Sequence, residues 1–217
     1  MIYEAYYEEN NVIRKRDYNN IKSTIEKNEK NKLGCINHIR KIYYNNDINY
    51  LTDSIGIAYS NTDSFCMTIE NFNMDRIILE KKCNREGTIF KSYTYLSKEQ
   101  CEKLLNNDYE WLKDSEEQVM KDLFLQITIN KLAIGVVVDY QREAYRINKQ
   151  NDYVVFDTSI RSTYDWNNEC VFTNELPTTE RLEEGRVVMT FKQATQIPKI
   201  VINMLELGDR SLRIEGA

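Results

Sequence analysis

Residues 135–161 read GVVVDYQREAYRINKQNDYVVFDTSIR, a stretch in which polar and apolar side chains alternate. Because successive side chains of a strand point to opposite faces, Tyr140, Arg142 and Ala144 are predicted to share one face. The polar cluster 148–152 predicts a turn between two antiparallel strands. An arginine fixed in the middle of a strand must face water or a polar interior. A wide β-barrel with a wet lumen is one architecture that supplies such an interior.

The rest of the chain predicts further strands with helices inserted between them. Strands are predicted at 2–7, 36–44, 65–72, 76–82, 88–96 and 186–192, and helices at 14–29, 49–54, 97–105, 116–131 and 198–205. Ser97 followed by Gln100 is typical of a capping box at the start of a helix. Residues 163–185 are predicted to form a long irregular loop. This order favours one α+β domain over residues 1–217.

Composition limits the function classes. The formal net charge of −5 disfavours a broad nucleic-acid-binding surface, and no apolar run is long enough to span a bilayer. Five cysteines are scattered without a C-x-x-C pair, which predicts reduced thiols and a cytoplasmic location. His38 is the only histidine, so zinc sites built from clusters of histidine and cysteine are effectively excluded.

The sharpest local signal is the run Leu79-Glu80-Lys81-Lys82 at the end of a predicted strand. Glu80 and Lys82 lie two residues apart and therefore share a face, which Lys91 on the adjoining strand can join. An acidic group beside lysines can hold a divalent cation next to a phosphate. A solvated pair of surface charges has the same spacing, so both interpretations remain open.

Single basic residues also stand on several later strands, namely Arg142, Arg161 and Lys192. Each of them alone is explained by simple exposure to solvent. One cation from each of several strands would instead suit a lumen that binds a polyanion. In that case these residues and the charged group around Glu80 should converge on one cavity.

Four short motifs follow one another along the chain. They are IRKIYY at 39–44, LEKK at 79–82, VDYQREAY at 138–145 and FDTSIR at 156–161. In this order they resemble motifs of the bacterial VTC-domain family. That family is related to the polyphosphate polymerase of the vacuolar transporter chaperone complex and to the triphosphate tunnel metalloenzymes. The VDYQREAY motif is the most specific of these matches.

The resemblance implies a fold and a set of site residues. The fold is an α+β antiparallel β-barrel tunnel of about eight strands with peripheral helices, and its lumen binds polyphosphate or a nucleoside triphosphate with Mn²⁺ or Mg²⁺. The implied metal ligands are Glu4 and Glu80. The implied phosphate-binding residues are Arg40, Lys82, Lys91, Arg142, Arg161 and Lys192. The sequence assigns no catalytic residue and no protein partner.

Several positions depart from the charged motifs of the family. They are Ile2 and Tyr6 in the first strand, Cys66, Thr68, Tyr153 and Thr190 in later strands, and Ile214 and Glu215 near the C-terminus. Five or more lumen charges are lost together, among them a carboxylate at position 190. Each buried donor removed from a phosphate costs on the order of 2–4 kcal/mol of transition-state stabilisation. Catalysis is therefore expected to be reduced or lost.

Three functions remain open from the sequence. The first is a tunnel-fold protein that binds a phosphate-rich ligand weakly, with little or no catalysis. The second is an interaction scaffold that keeps only the barrel. The third is a working metal-dependent polymerase or triphosphatase that uses Glu4 and Glu80. A continuous basic lumen would favour the first or the third, and an apolar, plugged lumen would favour the second.

Overall fold

The computed structural model describes residues 2–27, 36–45, 63–147 and 152–194. The strands in these ranges are β1 (Ile2–Arg14), β2 (Asn37–Asn45), β3 (Ser64–Glu70), β4 (Ile77–Arg85), β5 (Thr88–Leu96), β6 (Ala133–Arg146), β7 (Tyr153–Thr163), β8 (Thr179–Glu180) and β9 (Arg186–Ala194). The helices are α1 (Lys15–Glu26), α2 (Lys98–Leu105), α3 (Gln118–Asn130) and α4 (Asn168–Val171), with a 3-10 helix at Glu110–Asp114.

Eight of the described strands close into an antiparallel barrel. Hydrogen bonds join them in the order β6-β2-β3-β4-β5-β1-β9-β7, and β7 pairs back onto β6. The short strand β8 pairs with Arg161 and Ser162, at the end of β7 that extends beyond its pairing with β9. The prediction of an antiparallel barrel of about eight strands with peripheral helices is therefore confirmed.

The hairpin formed by β6 and β7 matches the prediction for residues 135–161. The two strands are antiparallel, with Arg142 opposite Asp157, and a bulge interrupts the register between Asp139 and Gln141. Arg142 faces the barrel interior, as the alternation predicts.

The first strand is longer than predicted. β1 continues to Arg14 instead of ending at Tyr7, and its second half pairs with β9, where Glu8 lies opposite Lys192. The polar run 8–11 has the composition of a turn, yet its side chains alternate between the interior and the exterior of the barrel. As a result, Glu8 contributes a carboxylate to the lumen that the sequence did not predict.

The segment 163–185, predicted to be irregular, contains the short helix α4 and the strand β8. The helices predicted at 49–54 and 198–205 lie outside the described residues. None of the described helices is long and apolar enough to cross a membrane.

The hydrophobic core lies outside the barrel, between its wall and the helices. The larger cluster packs α2, the 3-10 helix and α3 against β2, β3 and β4, and it includes Ile42, Met67, Leu79, Leu104, Leu112 and Leu123. A smaller cluster packs Tyr18 of α1 against Phe156 and Val187, with Ile21 and Ile25 beside it as the predicted helix stripe. Most of the barrel strands bury an apolar outer face in these clusters, so their inner faces can carry polar and charged residues, whereas Tyr7 and Val12 on the outside of β1 are exposed.

The predicted capping box stabilises the start of α2. The Ser97 hydroxyl accepts a hydrogen bond of 3.2 Å from the Gln100 backbone N–H, and the Gln100 side chain accepts one of 2.9 Å from the Ser97 backbone N–H. We expect Ser97→Ala to lower the free energy of unfolding by about 1 kcal/mol, as is usual for a lost N-cap. Urea denaturation measures this, with Ser97→Thr as the control that keeps the hydroxyl. An equal loss in both variants would contradict the capping role.

Candidate functional site

A cavity of about 610 Å³ lies inside the barrel. Its charged lining side chains come from six strands, and they are Glu4, Lys41, Glu80, Lys82, Lys91, Arg142 and Lys192. Apolar and aromatic side chains fill the spaces between them. The described interior is thus an open, charged cavity and is not plugged by apolar side chains.

Six of the eight predicted site residues line this cavity: Glu4, Glu80, Lys82, Lys91, Arg142 and Lys192. Their convergence follows from the alternation of strand side chains, because each occupies an inward position on its own strand. Arg40 and Arg161 do not line the cavity. The convergence predicted for Arg161 with the other cations is therefore wrong.

Arg40 has a structural role in the wall of the barrel. Its side chain is 1% exposed and forms two hydrogen bonds to the Asp139 carboxylate, at 2.7 and 2.6 Å. Its Nη1 donates to the carbonyl oxygens of Val171 and Thr173, both at 2.7 Å. Arg40 therefore ties β2 and β6 to the segment around α4, on the face opposite the lumen.

Arg161 holds the segment that leads into β8. It donates hydrogen bonds to the hydroxyl and the carbonyl oxygen of Thr178, at 2.8 and 2.9 Å. Its contact with Glu180 is long, at 3.4 Å, and its side chain is 43% exposed. Its interactions belong to the outer surface.

Glu80 organises one side of the cavity. Its Oε1 accepts hydrogen bonds from the Lys41 ammonium and, at 2.9 Å, from the Cys66 thiol, while its Oε2 lies 3.1 Å from Lys91 Nζ. Burial alone would raise the pKa of the Glu80 carboxyl, but Lys41 and Lys91 hold it well below its usual value. Burial raises the pKa of Cys66 to about 12, so this thiol stays protonated and acts as a donor.

Lys41 is a cavity residue that the sequence did not predict. It follows Arg40 directly in β2, so the two side chains point to opposite faces of the strand, and the lumen receives Lys41. The sequence offered one indication of this role, namely that Lys41 directly follows Arg40, which was predicted to bind phosphate. Only the register of β2 decides which of the two cations faces the interior.

A second charged group surrounds Glu8 on the other side of the cavity. The Lys192 ammonium lies 3.6 Å from Glu8 Oε2, and the Asn10 amide donates to Glu8 Oε1 at 3.2 Å. Burial opposes ionisation of Glu8, but the charges of Lys82 and Lys192 lower its pKa to about 2. Lys82 lines the cavity and forms no ion pair with another residue in the described ranges.

Lys192 is the cavity cation with the least favourable surroundings. Burial and the neighbouring charge of Lys82 lower its pKa to about 7, with further contributions from Arg142 and Lys91, and Glu8 only partly opposes them. The Lys192 ammonium also lies over the Tyr6 ring, 4.9 Å from its centroid. Such crowding of like charges is typical of a site that receives an anion.

The lowered pKa of Lys192 predicts a pH-dependent stability. The unfolded chain binds this proton more tightly than the folded chain, so stability must rise with pH from about 7 toward the unfolded pKa. Between about pH 6.5 and 8.5, we expect wild type to gain about 1–2 kcal/mol of unfolding free energy relative to Lys192→Met. Urea denaturation across this range measures the difference. If the difference in unfolding free energy between wild type and Lys192→Met stayed constant with pH, the prediction would be wrong. Lys98→Met, on the outer surface, is the control.

Arg142 is held by a bidentate pair across the hairpin. Its Nε and Nη2 donate to the two carboxylate oxygens of Asp157, at 2.7 and 2.6 Å. Its guanidinium also lies over the Tyr140 ring, 4.9 Å from the centroid. The side chain is therefore fixed in orientation, and part of its charge is already balanced by Asp157.

Some of the positions that depart from the family motifs meet in the barrel, whereas Ile214 and Glu215 lie outside the described residues. Tyr6, Thr68 and Tyr153 line the cavity where cations were expected. Thr190 is buried, and its hydroxyl donates to the side-chain oxygen of Asn10. These positions therefore contribute hydroxyl and aromatic groups to the lumen in place of charges.

The carboxylates of the cavity fit a metal site poorly. Both oxygens of Glu80 are already bound by lysines or a thiol, and the nearest oxygen of Glu4 lies 3.9 Å from Lys91 Nζ. In the described part of the chain, no group of three or more His, Cys, Asp or Glu side chains could hold a metal ion. An ion such as Mg²⁺ or Mn²⁺ would have to displace Lys41 or Lys91 from Glu80. The assignment of Glu4 and Glu80 as ligands stays a prediction.

An antiparallel eight-stranded barrel with a charged lumen and its helices outside defines a tunnel-like α+β protein. A family model described as the VTC domain matches residues 5–212. Because this match covers nearly the whole chain, the protein belongs to the VTC-domain family. No curated protein matches the chain.

Solved structures share the architecture with little sequence identity. A protein from Bacillus halodurans, proposed to be an adenylate cyclase, has a TM-score of 0.53 at 14% identity, covering 95% of this chain and 89% of that one. The PH1819 protein of Pyrococcus horikoshii OT3 has a TM-score of 0.43 at 12% identity, covering 100% and 91%. The Mediator head module of Schizosaccharomyces pombe has a TM-score of 0.48 at 9% identity, covering 99% and 93%. The first of these likenesses supports the tunnel-like fold alone.

Proposed function

We propose that this VTC-domain protein binds a phosphate-bearing ligand inside its barrel, with phosphoryl transfer reduced or lost relative to a polyphosphate polymerase. In this proposal residues 1–217 act as one tunnel domain. Polyphosphate and nucleoside triphosphates are the ligand classes that the family membership suggests.

One observation carries the proposal. Five cationic side chains from five strands line the same cavity, and they are Lys41, Lys82, Lys91, Arg142 and Lys192. Like charges that converge in a confined space destabilise one another, and a bound anion removes this cost. This repulsion between like charges contributes, together with burial, to lowering the pKa of Lys192 to about 7.

The same cavity supports the proposed weakness of catalysis. Phosphoryl transfer depends mostly on positioning and on electrostatic stabilisation of the transferring group. At Tyr6, Thr68 and Tyr153 the lumen offers no positive charge, and Glu80 is engaged by lysines. Several losses of about 2–4 kcal/mol each would remove most of a rate enhancement.

The alternative function, an interaction scaffold that keeps only the barrel, is favoured by the apolar part of the cavity lining. Ile39, Ile78 and Val155 place apolar surface in the cavity between the charged groups. The open volume of about 610 Å³ nevertheless favours ligand binding, because a barrel kept only as a scaffold gains stability when its interior is filled.

Calorimetric titration with sulfate and with tripolyphosphate tests the binding proposal. We expect both anions to bind near Lys82, Lys91 and Arg142, and Lys82→Met to weaken binding about tenfold or more, because a charged hydrogen-bond donor is lost. Lys98→Met on the outer surface of α2 is the matched control. Absence of binding by any phosphate or sulfate probe would leave the scaffold function as the better explanation.

Incubation with ATP and Mn²⁺ tests the catalytic part separately. We expect little or no polyphosphate or released phosphate, because the lumen lacks cations at Tyr6, Thr68 and Tyr153 and because lysines already engage Glu80. Robust synthesis by the wild-type protein would contradict the proposal. If Glu80→Ala, shown to be folded, abolished that synthesis, the metal-dependent polymerase using Glu4 and Glu80 would be supported instead.

A further inference from the structure

Two buried hydroxyl groups of the cavity make no hydrogen bond to the described protein. They are the hydroxyls of Tyr6, which is 7% exposed, and Thr68, which is 9% exposed. Both residues line the cavity. Because buried polar groups in folded proteins nearly always have a partner, these two hydroxyls indicate that a ligand or solvent group hydrogen-bonds to them.

Tyr6 is held in place as a neutral donor. Its ring lies beneath the Lys192 ammonium, 4.9 Å from the centroid, and burial raises the pKa of its hydroxyl far above neutrality. Thr68 lies on β3, directly opposite Lys41 of β2 on one side and Ile78 of β4 on the other. The site therefore combines cations with uncharged groups that can recognise hydroxyls.

The charge balance of the cavity limits the charge of its ligand. The five lining cations face four carboxylates, and these are Glu4 and Glu80 in the lining, Glu8 beside Lys192, and Asp157 on Arg142. With all nine of these groups ionised, the described cavity has a net charge of about +1, and the pKa of Lys192, lowered to about 7, keeps the charge from rising above that value at neutral pH. A phosphate monoester carries about −1.5 to −2 charges at pH 7, whereas a long polyphosphate would bring many unbalanced charges into a partly buried space.

The cavity also has room for more than a phosphate group. Sites for small organic molecules have volumes of about 300–1,000 Å³, and this one measures about 610 Å³. Apolar lining at Ile39, Ile78 and Val155 suits the carbon skeleton of such a molecule.

We infer that the cavity binds a phosphate monoester of a hydroxylated carbon skeleton, and that Tyr6 and Thr68 select it by hydrogen bonds to its uncharged part. The phosphate group lies among Lys82, Lys192 and Arg142. The inference rests on the proposed anion binding and narrows it from polyphosphate to a short ester. Tyr6 and Thr68 thereby act as specificity-determining residues.

Titrations with orthophosphate, glycerol 3-phosphate, ribose 5-phosphate and tripolyphosphate test the inference. We expect at least one of the esters to bind about tenfold more tightly than both orthophosphate and tripolyphosphate. Tyr6→Phe and Thr68→Val each remove one hydroxyl with little change of shape. Each should weaken ester binding about fivefold, the effect of one lost hydrogen bond, and leave orthophosphate binding unchanged within about twofold.

The outcomes separate this inference from the proposed function. Tyr109→Phe, outside the barrel, is the control, and a thermal melt verifies that each variant is folded. Tighter binding of tripolyphosphate than of both esters would overturn the inference and leave the proposed function standing. Equal weakening of all ligands by Tyr6→Phe and Thr68→Val, or no weakening of any, would also overturn it. If none of the four probes binds, the proposed function fails as well.

Discussion

Replacement of Glu80 with alanine is expected to lower the free energy of unfolding by about 3–5 kcal/mol. Glu80 is 3% exposed and is the shared partner of Lys41 and Lys91. Without it, two buried or half-buried ammonium groups face each other with no carboxylate between them. Urea denaturation of the wild type and the variant measures the loss.

Glu4→Gln is the matched control for this prediction. Glu4 lines the same cavity, but its side chain is 46% exposed and its contact with Lys91 is 3.9 Å long. Exposed pairs contribute about 0–1 kcal/mol, so the control should change stability little. If the loss at Glu80 arises from unpaired lysines, adding Lys41→Met to the Glu80→Ala chain should restore part of it. A loss below about 1 kcal/mol for Glu80→Ala would contradict the anchoring role.

The sequence predicts the barrel wall best where the two faces of a strand differ in chemistry. In β6, Arg142 lies two residues from Tyr140 and two from Ala144, so the spacing predicts that the three share a face, and Arg142 and Ala144 both line the cavity. Glu80 and Lys82 also lie two residues apart and share the inward face, whereas Leu79 packs into the outer core. At these positions the register needs no tertiary information.

Prediction fails where both faces of a strand are alike. In β2, Ile39 faces the lumen and Ile42 the outer core, so apolar residues mark neither face, and Arg40 and Lys41 are equivalent in composition. A shift of one residue exchanges every side chain between the faces. Glu8 was missed for another reason, because its polar neighbours resemble a turn and its strand is set by pairing with β9.

Arg40→Ala is expected to lower the free energy of unfolding by about 3–5 kcal/mol, as large an effect as that at Glu80. The change leaves the buried Asp139 carboxylate without its bidentate partner, and among the described residues His38, 3.6 Å away, remains as the basic group beside it. It also removes the donor shared by the carbonyl oxygens of Val171 and Thr173. Arg40→Lys should recover part of the loss, since one ammonium cannot replace the planar fork of the guanidinium.

The family resemblance implies that both Arg40 and Arg161 bind phosphate. Comparing Arg161→Ala with the Arg40 variants distinguishes phosphate binding from the structural role of Arg40. Arg161 is 43% exposed, so its loss should cost no more than about 1 kcal/mol. Because neither side chain lines the cavity, sulfate affinity should be unchanged in Arg161→Ala and in folded Arg40→Lys. A sulfate affinity that falls tenfold in either variant, at intact stability, would place that arginine in the binding site. Unchanged affinity with a large loss of stability at Arg40 alone would assign the arginine of the IRKIYY motif to the barrel wall in this chain.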